Sequence, residues 1–220
     1  MCMGFRFILR MNRNNLNNKI NMLHLSATEK QLDQLILYYE MVIKKNEVMN
    51  LTSITEADEF IDKHIIDSII IGKYYDLKGP VNAVDVGTGA GFPGIPLKIM
   101  YPDINIDLLD SLNKRITFLN EVIEKLSLNN VRTFHGRAED YAKNKGYREQ
   151  YDICFSRAVA NMSSLSEYCI PFIKKNGVFA AYKSGDSEEE IEKSKNAVKL
   201  LGGKIIRTEN YILPGTDYSR

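Results

Sequence analysis

The chain opens on a polar, asparagine-rich stretch, Met11 to Asn21, and then settles into a helical rhythm. Leu32, Leu35, Ile36, Tyr39 and Ile43 recur at intervals that place one apolar stripe along a helix. Ser26 and Glu29 have capping-box spacing, so the first ordered element is expected to begin near Ser26. A loop through Asn46 to Thr55 follows. A second helix is expected over Glu56 to Ile71, with Phe60, His64, Ile65 and Ile69 available for one face. Gly79-Pro80 closes this region.

After Pro80 the pattern changes. Short runs rich in β-branched residues, at Val81 to Val86, Ile104 to Leu109, Val131 to Phe134, Asp152 to Phe155 and Val178 to Tyr182, predict strands. Between them, Ile95 to Met100, Asn113 to Leu126, Leu165 to Ile173 and Ser187 to Leu201 predict helices. This alternation predicts an α/β fold, a doubly wound and mostly parallel sheet with right-handed crossovers. Lys204 to Leu213 is expected to add a further strand. The organisation expected is a poorly ordered lead-in over 1–25, a helical segment over 26–79 and the α/β domain over 80–220.

Composition narrows the class. With 220 residues and 44% hydrophobic content, the chain can bury one substantial core. A net charge of +1 means that any nucleic-acid-binding surface must be local rather than global. Three cysteines, Cys2, Cys154 and Cys169, show no CxxC spacing, which argues against a zinc site or a disulfide framework and for a reduced, cytoplasmic protein. No apolar run approaches the ~20 residues of a membrane helix. Met1 to Arg10 is broken by Arg6 and lacks a cleavage site, so no targeting signal is expected.

The densest chemistry lies after the first strand. Asp85-Val86-Gly87-Thr88-Gly89-Ala90-Gly91-Phe92-Pro93-Gly94 runs from strand into helix. The glycines allow a ligand to approach the backbone, and the helix aims free N–H groups at it. The dinucleotide pattern G-x-G-x-x-G would put its third glycine at Phe92, which disfavours an NAD enzyme. The pattern is instead acid-x-G-x-G-x-G, the methyltransferase form, in which Asp85 suits a cationic cofactor and orients the loop. Asp110, ending the second strand, is placed to accept ribose hydroxyls, or to cap the next helix. Ala138 and Glu139 follow the third strand beside an expected adenine. Arg157 ends the fourth, where it could hold a carboxylate, a phosphate or a base edge, or pair with an acid.

Several motifs in one order resemble a single family. Asn50-Leu51-Thr52-Ser53-Ile54, Lys63-His64-Ile65-Ile66-Asp67-Ser68, the loop through Gly94-Ile95-Pro96, Leu109-Asp110-Ser111-Leu112-Asn113-Lys114-Arg115, Arg137-Ala138-Glu139 and Ser156-Arg157-Ala158 are similar to the RsmG family, also called GidB. The resemblance runs from about Ser26 to the end. It implies a Rossmann-like class I methyltransferase with an N-terminal helical extension. Its substrate would be small-subunit ribosomal RNA or the assembled small subunit, methylated at guanine N7. The implied cofactor, S-adenosyl-L-methionine, would be contacted by Gly87, Phe92, Ala138, Glu139 and Arg157; the physical argument adds Asp85, Gly89 and Asp110. Family members continue beyond the point where this chain stops, so the last antiparallel strand is expected to be missing.

Guanine N7 carries a lone pair and no proton, so transfer needs positioning and water exclusion rather than a general base. No catalytic His or Cys is therefore expected, and no metal. Amino-group methylase motifs (Asn/Asp-Pro-Pro-aromatic) and Pro-Cys dipeptides are missing from the sequence. Lys63, Lys114, Arg115, Arg137 and Arg157 are the candidates for a phosphate-binding rim. Two other readings share the loop: a methyltransferase on a small molecule or protein, and a non-catalytic RNA-binding protein. A monomer is expected.

Overall fold

The computed structural model describes residues 10–157, 160–185 and 187–220. Cys2, most of the Met1 to Arg10 stretch and Ala158 lie outside the described residues.

Five parallel strands form one sheet in the order β3-β2-β1-β4-β5: β1 (Asn82–Val86), β2 (Asn105–Asp110), β3 (Val131–His135), β4 (Tyr151–Arg157) and β5 (Ile173–Tyr182). The order reverses between β1 and β4, and a crevice opens at the carboxyl ends of such a pair. Strand alternation sorts the side chains. Ala83, Ile106, Leu108, Ile153 and Phe155 join one core with the N-terminal helices, whereas Val84, Val86, Leu109 and Cys154 join the other. The same parity puts Asp85 and Arg157 on the first of these faces.

The N-terminal region departs from expectation. Arg13–Met22, expected within a poorly ordered lead-in, is a helix, α1, with Leu16 and Ile20 fully buried. Its apolar positions are few but four residues apart, enough to dock one edge of the helix. The next helix, α2 (Glu29–Met49), starts from a capping box of Thr28 and Gln31, not Ser26 and Glu29. The Thr28 N–H donates to Gln31 Oε1 at 2.8 Å, and Gln31 Nε2 also donates to the Ile99 carbonyl at 2.8 Å, a tertiary bond that favours this register. The helix expected from Glu56 is interrupted: α3 (Ala57–Phe60), a π-helical segment (Ile61–Ile66), α4 (Asp67–Ile69) and a 3-10 turn (Ile70–Lys73) follow one another.

The crossover helices are α5 (Gly94–Met100), α6 (Asn113–Lys125), α7 (Ala138–Lys143), α8 (Met162–Cys169) and α9 (Glu188–Leu200). The expected strand over Lys204 to Leu213 does not join the sheet. Tyr211 and Arg220 instead exchange backbone bonds of 3.0 and 2.8 Å, and Leu213 N–H donates to the Tyr218 carbonyl at 2.9 Å, making a hairpin over Pro214-Gly215. A groove of about 1380 Å³ is lined by β5 and by Lys204 to Asn210, and among the described residues no backbone hydrogen bond joins this run to a strand. Among the described residues no helix is long and apolar enough to cross a membrane.

Truncating a fully buried leucine removes its transfer energy and leaves a cavity, at a cost of about 2–5 kcal/mol. Leu16→Ala is expected to lower unfolding stability by that amount in urea titration. An unchanged midpoint would mean that α1 is not docked.

Candidate functional site

The site is built on the loop between β1 and α5. Asp85 ends up fully buried beneath it, so its carboxylate must find donors. Oδ2 accepts from the Thr88 hydroxyl at 2.7 Å and the Gly94 N–H at 2.9 Å, tying both ends of the loop to one oxygen. Among the described residues Oδ1 has no hydrogen-bond partner. Burial pushes this carboxyl up to about 6, against the lowering effect of the Thr88 and Gly94 bonds and the Arg157 charge.

The loop is held from three sides. Gly87 and Thr88 donate to the Leu109 carbonyl at 2.8 and 3.1 Å, and the Tyr38 hydroxyl donates to the Ala90 carbonyl at 2.8 Å. Gly91 combines φ +111 with a tight fit: a Cβ there would stand 2.6 Å from Ile95 Cγ1 and 2.9 Å from the Tyr38 hydroxyl. Gly89 has φ +63 but an open face, its nearest heavy atom 4.0 Å from the same position. One face of the loop is therefore packed on protein and the other is free for a ligand.

Asp110 is buried at the end of β2 and is more occupied than its sequence reading implies. Its Oδ2 accepts from the Gly89 N–H at 2.9 Å and lies 3.2 Å from Arg115, and its Oδ1 accepts from the Leu112 N–H at 2.9 Å. It is a tether for the glycine loop and the turn into α6. Ala138 and Glu139, read as loop residues, form the first turn of α7, with Ala138 half-buried and Glu139 exposed. Gly136 N–H donates to the Asp110 carbonyl at 3.0 Å, which brings this turn beside Asp110.

Arg157 is not the free cleft arginine that the sequence invites. Nη1 donates to Asp67 at 3.1 Å and to the Lys63 carbonyl at 2.9 Å, and Nη2 contacts His64 Nδ1 at 3.0 Å. Its guanidinium also lies 4.9 Å from the centre of the Phe92 ring. Asp67 bonds Arg220 as well, at 3.1 Å. Phe92 is buried in an aromatic cluster, stacked on His64 at 4.2 Å, tilted against Tyr38 at 5.4 Å and edge-on to Phe60 at 5.6 Å.

Of the candidate cations, Lys63 is paired with Glu59, Arg115 with Asp110 and Arg157 with Asp67. Lys114 and Arg137 are exposed and have no acidic partner among the described residues. Residues that the sequence reading missed are Tyr38, Thr88 and Asp67. Each had a signal: Thr88 lies within the acid–glycine loop, Asp67 within the Lys63–Ser68 motif, and Tyr38 three residues after Leu35 and four before Val42 on the same helix stripe. Among the described residues no group of three or more His, Cys, Asp or Glu is arranged to hold a metal.

Residues 31–211 match the family model GidB, described as rRNA small subunit methyltransferase G. The chain is 50% identical over 198 residues to ribosomal RNA small subunit methyltransferase G of Lachnoclostridium phytofermentans, covering 90% of this chain and 82% of that protein. It is 51% identical over 189 residues to the protein of the same name in Clostridium perfringens strain 13, covering 86% and 79%. Solved structures share the fold at low identity. TYW2 of M. jannaschii in complex with AdoMet matches with TM-score 0.57 and 17% identity over 76% of this chain and 75% of that one. The cyclase SpnF matches with TM-score 0.58 and 12% identity over 84% and 76%. The likeness to a cyclase means that fold alone does not fix the reaction.

A carboxyl raised from 3.8 to about 6 on folding binds its proton more tightly in the folded chain. Its stabilising contribution is full below about pH 4 and is lost as pH rises through 6. The stability of the native chain relative to Asp85→Asn is expected to fall between pH 4 and pH 7, by at most about 3 kcal/mol. Paired urea titrations measure this, and a pH-independent difference would show that Asp85 ionises normally.

Proposed function

Because the chain belongs to the GidB family of small-subunit ribosomal RNA methyltransferases, we propose that it transfers a methyl group from S-adenosylmethionine to N7 of a guanine in 16S ribosomal RNA. The observation that carries this reading is the glycine loop, open at Gly89 and closed on protein at Gly91, with a carboxylate oxygen of Asp85 beneath it that has no partner among the described residues.

The residues present fit the cofactor. A buried carboxylate with one unused oxygen favours a cationic ligand, and the open backbone at Gly89 allows close approach. Gly87, Gly89 and Phe92 would hold it from the loop, Asp85 from below, Asp110 from β2, Ala138 and Glu139 from the start of α7, and Arg157 from the end of β4. When bound, S-adenosylmethionine supplies an electrophilic methyl group on a sulfonium.

The work left to the chain is orientation. Guanine N7 has no proton to lose, so no side chain has to remove one. His64 agrees with this: arginine has only donors, so His64 Nδ1 accepts from Arg157 and its Nε2–H is left to bond Thr52 Oγ1 at 2.7 Å. Burial and the neighbouring Arg157 charge depress its pKa from 6.5 to about 3, so it stays neutral and both nitrogens are engaged. The aromatic wall of Phe92, Phe60 and Tyr38 excludes water on one side.

RNA phosphates meet Lys114 and Arg137, the two unpaired cations that flank Asp110 and Ala138. The protein acts in the cytoplasm as a monomer, on the assembled small subunit in preference to naked RNA.

Labelled methyl transfer into unmethylated small subunits, with the product nucleoside identified by mass spectrometry, tests the reading. The expected product is 7-methylguanosine, lost in Gly87→Asp, which sets a charged side chain on a backbone with φ +72. Label in another nucleoside, or in protein after nuclease treatment, would refute it. The double variant Lys114→Ala/Arg137→Ala is expected to weaken RNA binding and to flatten the slope of log affinity against log salt by about 1.5, since each phosphate contact on a single strand contributes about 0.7. An unchanged slope would remove these two residues from the RNA surface.

A further inference from the structure

His64 touches four separately encoded segments: the loop at Thr52, α3 at Phe60, the glycine loop at Phe92 and β4 at Arg157. It sits in the π-helical segment, a geometry found often at functional sites. Its Nε2–H reaches Thr52 Oγ1 at 2.7 Å, and the same oxygen accepts from the Ile54 N–H at 3.0 Å, which shapes the loop between α2 and α3. Its Nδ1 holds Arg157 at the end of β4 at 3.0 Å. Its ring lies nearly parallel to Phe92, at 13°, and Phe60 packs edge-on against its other side at 4.9 Å. The loop it grips through Thr52 carries exposed Asn50, Ser53 and Thr55.

We propose that His64 is a positioning residue for methyl transfer, locking Arg157 and the exposed 50–55 loop to Phe92 so that this outer loop, offered to the substrate, and the glycine loop that holds the cofactor keep one fixed relation. The turnover part rests on the RNA methyltransferase reading, and the cofactor-affinity part on Arg157 and Phe92 as cofactor contacts, held in place by His64. Methyl transfer with no proton removed depends on alignment, and a misplacement of about 1 Å can cost about a hundredfold in rate. A single side chain bonded on two sides and stacked on a third is suited to hold that alignment.

Four variants separate the contacts. His64→Phe keeps the ring and removes both hydrogen bonds. His64→Asn keeps an acceptor near Nδ1 for Arg157, and His64→Gln keeps a donor near Nε2 for Thr52. Thr52→Val removes only the loop bond. Three measurements are made on each: the Kd of S-adenosylhomocysteine by calorimetry, kcat on small subunits at saturating cofactor, and Tm. Thr52→Val is expected to keep Kd within twofold and lose about tenfold in kcat. His64→Phe is expected to raise Kd several-fold and lower kcat more than tenfold, with His64→Asn recovering Kd better than His64→Gln. Native kcat in Thr52→Val, native Kd in His64→Phe, or equal losses in all three His64 variants in step with a common fall in Tm would overturn the proposal and leave a packing histidine. If the native chain methylates no small subunits, the RNA reading fails, while the order of cofactor affinities among the His64 variants still decides the Arg157 contact.

Discussion

A carboxylate buried in a protein interior must be met by donors, and the two that meet Asp85 stand at opposite ends of the glycine loop. That constraint shapes the site. With Thr88 and Gly94 drawn to one oxygen, the chain between them has to turn tightly, and the turn presents Gly89 outward and Gly91 inward. The helix that follows starts at the carboxyl edge of the sheet, but its first N–H groups are taken up within the chain rather than left free for a ligand as its sequence suggests: Gly94 donates to Asp85, Ile95 to the Gly91 carbonyl and Leu97 to the Pro93 carbonyl, and Pro96 has none. Among the described residues Asp85 retains one oxygen with no partner, and its carboxyl, which burial makes reluctant to ionise, would be favoured in its charged form by a nearby cation.

The N-terminal helices are part of this site rather than an attached module. Tyr38 bonds the loop at Ala90, and Phe60 and His64 enclose Phe92. Asp67 lies between Arg157 and Arg220, a buried acid with two cations. Removing one member of such a cluster leaves an uncompensated buried charge, so its geometry is held closely even where its net contribution to stability is small. The hairpin that ends the described chain is fastened to the same cluster through Arg220. Its Tyr218 ring also lies under Lys63 at 3.9 Å.

Methyl transfer to a nitrogen with a free lone pair asks little of acid–base chemistry, and the site offers little. The histidine within it is neutral and fully engaged. Membership of the GidB family and the acid–glycine loop agree on a transferase, whereas the shared fold by itself extends to a cyclase. What separates these chemistries is the identity of a few side chains at the carboxyl edge.

Much of this was legible in the sequence. Alternating β and helical spacing predicts the five strands and their crossovers, because a period of two or of 3.6 is written into neighbouring residues. The glycine loop and its acid are legible for the same reason: a tight turn needs residues that tolerate positive φ, and only local sequence supplies them. Two errors came from weak local signals. The few apolar residues of α1 are too sparse to announce a helix until a surface exists for Leu16 and Ile20 to bury against. Lys204 to Leu213 has strand composition, but a strand needs a hydrogen-bonded neighbour, and among the described residues no backbone hydrogen bond joins Lys204 to Asn210 to a strand. The charges are the larger lesson. Arg157 pairs with Asp67 across 90 positions of sequence, and Asp110 bonds Gly89 across 21. Which acid meets which base depends on where the strands and the π-helical segment bring their ends, so the sequence determined the scaffold and the loop, and only the tertiary structure decided which charges remain free to act.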